Sequence, residues 1–423
     1  MTTAFPAREP RTTSARIKLD LLCLGARLEH PGWVEARGGR PVLRTRAGLG
    51  SGLELVLRGG MCVNVPVTEA FARASPYAVE PEGQAGRVRI LHAGRPVASA
   101  HLAPRPGWYD RTTTRGRPMR RVGTLQGTVL AIYPGRVCDF WVRSDARPAP
   151  EACRFCSVGL NLGADDATEK SAHEVLEVVR TAARESGVTY VDLNAGHADD
   201  AGYLDRLLPI ARRIRAETGL LVGLQTPPHP DPRRWSEVRA AGVNRVSFCF
   251  ELFDPDRFRE VCPGKARLYG QQAFFEAIET CRALAHPRRG LLDAWVVNGE
   301  IIAGLEPITQ SMAAIDWLTQ RDAIPTVCVF RPLAGTPLAS EPPPRPDEMA
   351  PIFEHLYVRC LERGLPIGVA PNVHVSLVLL PDEAAGLVDH ERLPRALRRR
   401  ARSLAWTRRA FSLAWRARHW ARR

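Results

Sequence analysis

The sequence of 423 residues contains no run of 18 apolar residues, so it does not predict a membrane-spanning helix. Its opening residues lack the apolar core of a secretory signal. Ten cysteines in a chain of this length are too few for a disulfide scaffold. These absences favour a cytoplasmic protein with reduced thiols, and a hydrophobic content of 45% is typical of a globular fold.

Acidic residues are absent from the segment 395–423, which carries eleven arginines. The formal net charge is +14, so removing those eleven charges leaves +3 for the rest of the chain. The basic character therefore belongs to the tail, which we expect to be helical. Three interpretations of the tail stay open. The first is an interfacial helix on anionic lipid, which would place the protein at the membrane periphery. The second is a surface for nucleic acid or an acidic protein. The third is an extension whose aromatic residues pack on the body.

The cysteine motif of the chain contains three cysteines and lacks a fourth. Cys138 is followed, after fourteen residues, by the pair Cys153 and Cys156. Three thiolates in one loop do not fill a four-coordinate structural zinc site. They can hold three irons of a [4Fe–4S] cluster and leave the fourth iron open to a small molecule. The motif therefore predicts a cluster with these three cysteines as its ligands.

The chain divides into three parts by composition and periodicity. Residues 1–120 carry short alternating runs that predict a small β-rich N-terminal domain. Over residues 121–380, about six strand and helix patterns alternate, which predicts an α/β fold with a full or partial TIM-type (β/α) barrel. Within it, Ser171 opens a capping box, and residues 373–381 read as a last strand. Residues 381–423 form the basic helical tail.

Four blocks in barrel order resemble the radical S-adenosylmethionine (SAM) enzymes, and within them the biotin-synthase-like branch. They are C-R-F-C-S-V-G; V-S-F-C-F-E-L-F-D followed by P-G-K-A-R-L-Y-G; V-V-N-G-E-I-I-A-G-L-E; and F-R-P-L-A-G-T-P-L. The resemblance implies a [4Fe–4S] cluster, SAM as co-substrate and a 5′-deoxyadenosyl radical that abstracts hydrogen from a small organic substrate. It also implies a low-potential electron donor such as ferredoxin or flavodoxin. The family usually has three residues between its first two cysteines, and an insertion in a loop is thermodynamically cheap.

The resemblance also implies a set of SAM contacts. Phe155 would lay an apolar face near the adenine, although a core aromatic under the loop is an equal alternative. Asn194 and Gly196 would lie toward the SAM amino group at the end of the second strand. Outside the motif, the remaining cysteines are expected to be inert, apart from Cys262, which is a candidate for the substrate side of the barrel.

Two further pairs of residues complete the predicted site. Glu251 would face SAM, and Arg267 would pair with the SAM carboxylate, since a guanidinium suits that group. A salt bridge at the barrel rim is the alternative for both. Gly299 and Ile301 would let the adenine approach the fifth strand closely, and a turn glycine is the alternative there. No residue is identified from the sequence as the one that carries out the substrate chemistry.

The leading functional hypothesis is a radical SAM enzyme acting on a small molecule. The first alternative keeps the enzyme class and makes RNA the substrate, with the basic tail as its anchor. The second is a protein without enzymatic activity that binds zinc at Cys153, Cys156 and a distant pair of ligands.

Overall fold

The structure is a computed structural model. The residues that it describes are 13–29, 32–44, 48–134, 137–142, 149–161, 163–200, 202–285, 295–365 and 370–420.

The N-terminal part is built around an antiparallel sheet in the order β1-β2-β6-β5-β4, with β3 paired to β2. Its first helix begins after Thr13, whose hydroxyl oxygen accepts a hydrogen bond from the Arg16 N–H. The elements are α1 (Ser14–Leu24), α2 (Gly32–Ala36), β1 (Leu43–Arg44), β2 (Ser51–Val56), β3 (Cys62–Val65), α3 (Ala70–Arg73), β4 (Tyr77–Pro81), β5 (Arg87–His92) and β6 (Arg95–Leu102). The expected strands are therefore present, while a domain boundary at residue 120 stays a prediction.

The central part is a curved seven-stranded sheet in the order β13-β12-β11-β10-β9-β8-β7. Strands β8 to β13 pair in parallel, and β7 is antiparallel to β8. The elements are β7 (Thr124–Gln126), β8 (Val129–Ile132), α4 (Asp139–Val142), α5 (Ala172–Glu185), β9 (Tyr190–Asn194), α6 (Tyr203–Thr218), β10 (Leu221–Gln225), α7 (Arg234–Ala240), β11 (Arg245–Glu251), α8 (Pro255–Val261), α9 (Pro263–Leu268), α10 (Gly270–Ala283), β12 (Val296–Ala303), α11 (Ile308–Gln320), β13 (Ile324–Val329) and α12 (Pro346–Arg363).

This sheet with its outer helices is the partial (β/α) barrel that the sequence predicts. Every residue of β12 is buried, as expected for a parallel strand covered on both faces. The capping box of α5 is present, with the Ser171 hydroxyl and the Glu174 carboxylate each accepting from the other residue's backbone N–H. The prediction of this helix start is confirmed.

The gap between the two ends of the barrel sheet is covered by the N-terminal sheet. Arg331, just after β13, donates to the backbone oxygen of Asn64 on β3 at 3.0 Å. The Asn64 N–H donates to the Ser376 oxygen at 2.9 Å, and the Thr128 N–H before β8 donates to the His374 oxygen at 3.0 Å. These hydrogen bonds link the end of β13 to β3, β3 to the segment 374–376, and that segment to the residue before β8.

The strand predicted at 373–381 is wrong. The segment is largely buried, which explains its apolar sequence, but it forms no strand ladder. The carbonyl oxygen of Val375 accepts a hydrogen bond from the Lys18 ammonium group at 3.0 Å, and Lys18 also pairs with Glu383 at 2.7 Å. A side chain from α1 therefore holds an oxygen that a neighbouring strand would otherwise bind.

The tail is helix α13 (Arg395–Trp420). Phe411 and Trp415 on this helix are buried in the main hydrophobic core, so part of its aromatic surface does pack on the body. Among the helices in the described ranges, none combines the length and the apolarity that a bilayer crossing requires.

Candidate active site

A cavity that is partly open to solvent lies at the carboxyl ends of the parallel strands. This is the end of a (β/α) barrel where active sites are built. The three cysteines of the motif all line it, together with residues from the ends of successive strands. The strand-end residues are Asn194 of β9, Gln225 of β10, Glu251 of β11 and Glu300 and Ile302 of β12.

The cysteine sulfurs accept hydrogen bonds from backbone amides. The Cys138 thiol is bonded by the amides of His197 and Phe140, and the Cys156 sulfur accepts from the Val158 N–H at 3.5 Å. Burial, and then the nearby Cys153, raise the pKa of the Cys138 thiol to about 11. A metal at this position would displace the thiol proton outright, and the amide donors would then stabilise the thiolate.

Three glycines allow the chain to close around the cysteine loop. A Cβ atom on Gly48 would lie 2.7 Å from the Cys156 sulfur, and one on Gly196 would lie 2.5 Å from the Cys138 Cβ. A Cβ atom on Gly264 would lie 2.5 Å from the backbone oxygen of Glu151. Because real Cβ contacts are not so short, any side chain at these three positions would push the loop out of place.

Cys262 lies behind the cysteine loop and not on the substrate side. It is fully buried, and backbone hydrogen bonds on either side pin it to the loop, from Arg154 to Val261 at 2.9 Å and from Gly264 to Glu151 at 3.2 Å. Its thiol hydrogen-bonds to Cys153, which lowers the pKa of Cys153. The prediction that Cys262 lies on the substrate side is wrong, because Cys262 is buried at the α8–α9 junction and does not line the cavity.

The donor set fits a polynuclear cluster. In the part of the chain that the structure describes, no group of three or more Cys, His, Asp or Glu is spaced to hold a single metal ion. Cys138, Cys153 and Cys156 all line one cavity, and the nearby Cys153 raises the pKa of both Cys138 and Cys156. Thiolates around a shared space are the donors that the irons of a cluster require.

Asn194 carries an unpaired acceptor in the wall of the cavity. Its side-chain nitrogen donates to the Gln225 side-chain oxygen at 2.6 Å, but its buried oxygen Oδ1 has no hydrogen-bond partner among the described residues. Leaving such an acceptor unpaired costs about 1–3 kcal/mol. Oδ1 is therefore suited to a ligand that donates a hydrogen bond, such as an ammonium group. Gly196 lines the same wall, and its N–H donates to the Tyr133 hydroxyl.

Glu251 is turned into the cavity by an irregular strand end. The pairing of β11 with β12 shifts register between Cys249 and Glu251, and Glu251 has a φ of 67°, which is rare for a residue with a side chain. Its carboxylate pairs with the Lys265 ammonium at 2.5 Å. Lys265 also donates to the Cys249 backbone oxygen at 2.7 Å.

Lys265 remains charged in this environment. Burial alone would lower the pKa of its ammonium group, but Glu251 and three neighbouring thiols raise that pKa well above the usual value. The cavity therefore contains a fixed cation beside a carboxylate. The resemblance implies Arg267 of the block P-G-K-A-R-L-Y for this position, but the residue of that block that lines the cavity is Lys265.

Arg267 does not line the cavity. Its side chain is 58% exposed and pairs with Glu151 at the surface. Positions 265 and 267 are two residues apart on the short helix α9, and residues at this spacing face different directions. Only one of the two side chains can therefore point inward. The rim salt bridge that the sequence left open for Arg267 is the arrangement observed.

Gly299 and Ile301 face the outer helices. A Cβ on Gly299 would meet Leu318 of α11 at 2.4 Å, and Ile301 is fully buried without lining the cavity. Because side chains alternate along a strand, the cavity side of β12 belongs to Glu300 and Ile302. Phe155 is 7% exposed, lines the cavity and also belongs to the main hydrophobic core, so its role toward the adenine stays a prediction.

Several cavity residues were not identified from the sequence. Glu300 accepts hydrogen bonds from Gln225 at 2.6 Å and from the Arg245 guanidinium at 2.6 Å. Cys249 and Cys328, predicted to be inert, also line the cavity. Strand alternation relative to Asn194 is the signal that would have placed Gln225 and Glu300, but it requires the strand register to be known.

The fold is a partial (β/α) barrel, and three cysteines line the cavity at its strand ends. Residues 149–309 match the Radical SAM superfamily, a range that includes Cys153 and Cys156 but not Cys138. The bacteriochlorophyllide c C-7(1)-hydroxylase of Chlorobaculum limnaeum is 23% identical over 327 residues, covering 72% of this chain and 78% of that protein.

Two solved structures of lower identity align with parts of the chain. Methylornithine synthase aligns with a TM-score of 0.41 at 16% identity, covering 72% of this chain and 94% of that one. Coproporphyrinogen III oxidase from Escherichia coli, a radical SAM enzyme, aligns with a TM-score of 0.34 at 16% identity, covering 50% of each chain.

The segment 149–309 is therefore similar to the radical SAM superfamily, and the likeness to this domain and to the hydroxylase indicates an enzyme. The family uses a [4Fe–4S] cluster and SAM, takes a substrate and needs a reductant. Membership of the biotin-synthase-like branch stays a prediction.

Proposed function

We propose that this enzyme holds its cluster through Cys138, Cys153 and Cys156 and uses SAM to abstract hydrogen from a small organic substrate. When bound, the cluster supplies the electron that cleaves SAM to methionine and a 5′-deoxyadenosyl radical. The observation that carries the proposal is that three thiols, an unpaired amide oxygen and a fixed ion pair line one cavity at the strand ends.

Different residues around the cavity bind the amino group, the carboxylate and the adenine of SAM. The free Oδ1 of Asn194 accepts a hydrogen bond from the SAM amino group, which satisfies a buried acceptor. Lys265, with three N–H donors of which only some are used by Glu251 and Cys249, faces the SAM carboxylate. Phe155 offers an apolar surface to the adenine.

The N-terminal sheet helps to exclude water from this chemistry. Leu49 lines the cavity, and its backbone oxygen accepts from the buried Arg331 guanidinium at 3.1 Å. The Ser157 hydroxyl, beside the cysteine pair, donates to the Gly48 oxygen at 3.0 Å. These contacts fix the 48–49 segment over the cysteine loop, where it shields reactive groups from solvent.

The likeness to the hydroxylase relative indicates which kind of reaction to test. That relative is named for hydroxylation of a bacteriochlorophyllide at one carbon. Hydroxylation of a carbon on a small organic molecule is therefore a reaction that this likeness supports.

RNA as the substrate has less support. Among the described residues, none of helix α13 lines the cavity, so the basic tail is not placed to present a nucleotide to it. A low-potential donor such as ferredoxin or flavodoxin remains our proposal for the source of the electron.

Anaerobic reconstitution followed by a 5′-deoxyadenosine assay tests the proposal. We expect about four irons and four sulfides per chain, formation of 5′-deoxyadenosine with dithionite, and faster formation with the metabolite pool that contains the substrate. Lys265→Met is the informative variant, because it should keep its iron and lose SAM cleavage. A reconstituted protein with a full cluster and no 5′-deoxyadenosine under any condition would contradict the proposal.

A further inference from the structure

Helix α13 has one face bound to the body of the protein. Phe411 and Trp415 are buried, and Leu404 packs against the same core. The Arg408 guanidinium pairs with Asp382, and Arg400 donates to the Leu361 backbone oxygen at 3.0 Å. The helix is therefore fixed in place along most of its length.

The opposite face of α13 is open to solvent and has an unusual composition. Its members follow one another at alternating spacings of four and three residues, which places them in one line along the helix. We call this line the outer stripe; it consists of Arg395, Arg399, Arg402, Trp406, Arg409 and Leu413.

The outer stripe contains the two most exposed large hydrophobic side chains in the described part of the chain. Trp406 is 71% and Leu413 is 67% exposed, compared with 46% for the next residue, Val142. The Arg409 guanidinium lies 5.9 Å from the centre of the Trp406 ring, which keeps that ring directed outward beside a cation. Apolar side chains on a fixed helix are therefore presented to solvent between arginines.

A second basic feature adjoins the stripe. A cavity that opens to solvent along one flank of α13 is lined by Arg398, Arg402 and His390. Asp382 also lines it, but its carboxylate is already paired with Arg408. Arg402 belongs both to the cavity and to the outer stripe, so the cavity opens beside the stripe with cationic groups available to an anion.

The chemistry of the stripe favours one occupant. Arginines that flank a tryptophan and a leucine match the interface of an anionic bilayer, where phosphates bind the guanidiniums and the two apolar side chains enter the headgroup layer. A nucleic acid would neutralise the arginines and could stack on Trp406, but it would leave Leu413 in water.

We propose that the outer stripe of α13 lies flat on an anionic lipid bilayer, with Trp406 and Leu413 inserted at headgroup depth and a lipid phosphate in the flanking cavity. The protein then rests on the membrane surface without crossing it. This inference does not depend on the proposed reaction, because α13 lines no part of the active-site cavity within the described residues.

Co-sedimentation of the reconstituted full-length enzyme with vesicles tests the proposal. We expect binding to vesicles of equimolar phosphatidylcholine and phosphatidylglycerol, with little binding to phosphatidylcholine alone. Since each arginine near an anionic surface contributes about 1 kcal/mol, the triple variant Arg399→Gln, Arg402→Gln, Arg409→Gln should bind on the order of 100-fold more weakly. Trp406→Ala with Leu413→Ala should weaken binding by roughly tenfold.

Matched controls separate a specific face from net charge. Arg58, Arg89 and Arg95 are exposed on the N-terminal sheet, so converting these three to Gln removes the same charge from another surface. That variant should bind anionic vesicles like the unchanged protein. Equal losses in both triple variants, or unchanged binding after Trp406→Ala with Leu413→Ala, would overturn the proposal. Tight, stripe-dependent binding to single-stranded RNA with no binding to vesicles would overturn it in favour of a nucleic acid.

Discussion

The wall of the cavity and the interior of the barrel beneath it both contain polar residues, but these residues differ in whether their polar atoms have partners. Beneath the cavity, Arg245 pairs with Asp192 at 3.3 Å and with Glu300 at 2.6 Å, and the Tyr190 hydroxyl donates to Asp192 at 2.8 Å. In the wall, Asn194 keeps a buried oxygen with no partner among the described residues. The interior network pairs its charged groups with opposite charges, while the wall contains an amide oxygen that has no such partner among the described residues.

This difference separates stability from function within one barrel. A change beneath the cavity removes one partner from a buried charge network, so it should lower the free energy of unfolding. A change in the wall removes a group whose partner is a cofactor, so it should alter cofactor binding and leave the fold intact. The predictions below test that separation, beginning with the largest effect.

Replacing Cys153 or Cys156 with Ala should abolish cluster binding, because each removes a thiolate from a site with three ligands. Iron and sulfide content and the visible absorbance after anaerobic reconstitution measure the effect. Cys281→Ala is the control, since Cys281 is fully buried but belongs to α10 and does not line the cavity. Loss of iron in the control as well would mean that the assay reports folding and not ligation.

Replacing Arg245 with Met should lower the free energy of unfolding by about 3–5 kcal/mol, because Asp192 and Glu300 would be left buried without their cation. Urea denaturation of the protein without its cluster measures this directly. A surface change such as Arg89→Gln should stay within about 0.5 kcal/mol. If Arg245→Met proved as stable as the surface variant, the interior network would not have the structural role assigned to it.

Replacing Lys265 with Met should weaken SAM binding more than tenfold while iron content stays unchanged, since the cavity loses its fixed cation. Arg267→Gln, two residues away, should leave SAM affinity within about twofold, because Arg267 lies at the surface. Binding can be followed by the change that SAM produces in the electron paramagnetic resonance spectrum of the reduced cluster. If Arg267→Gln weakened SAM binding more than Lys265→Met did, Arg267 and not Lys265 would bind the SAM carboxylate.

Replacing Asn194 with Ala should weaken SAM binding by roughly tenfold, which corresponds to one lost hydrogen bond to a charged group. The free energy of unfolding should change by less than about 1 kcal/mol, because one of the two polar atoms removed had no protein partner. A large loss of stability with unchanged SAM affinity would show that Asn194 belongs to the interior network and not to the wall.

Much of the barrel could be predicted from the sequence. Alternating strand and helix patterns are local signals, so the parallel sheet and the capping box at Ser171 were within reach. The pair Cys153 and Cys156 was equally accessible, because its close spacing is visible in the chain.

What escaped prediction depends on which way a side chain faces. The resemblance implies that Gly299 and Ile301 lie at the cavity. The residues of β12 that line it are Glu300 and Ile302, each one position further along the strand, because side chains alternate between the two faces. Lys265 and Arg267 could not be told apart, since the short helix α9 is oriented by its contacts with the cysteine loop. The segment 373–381 has a strand-like sequence, but the buried Lys18 that binds its backbone is more than 350 positions away.

The central claim is that Cys138, separated by fourteen residues from the pair, completes the cluster site. Two thiols flank Cys153 in the structure, Cys138 on the cavity wall and Cys262 behind the loop. Iron content and electron paramagnetic resonance of anaerobically reconstituted Cys138→Ala and Cys262→Ala therefore decide the matter. The account predicts that Cys138→Ala loses the [4Fe–4S] signal and that Cys262→Ala keeps it; retention of the signal in Cys138→Ala with loss in Cys262→Ala would contradict it.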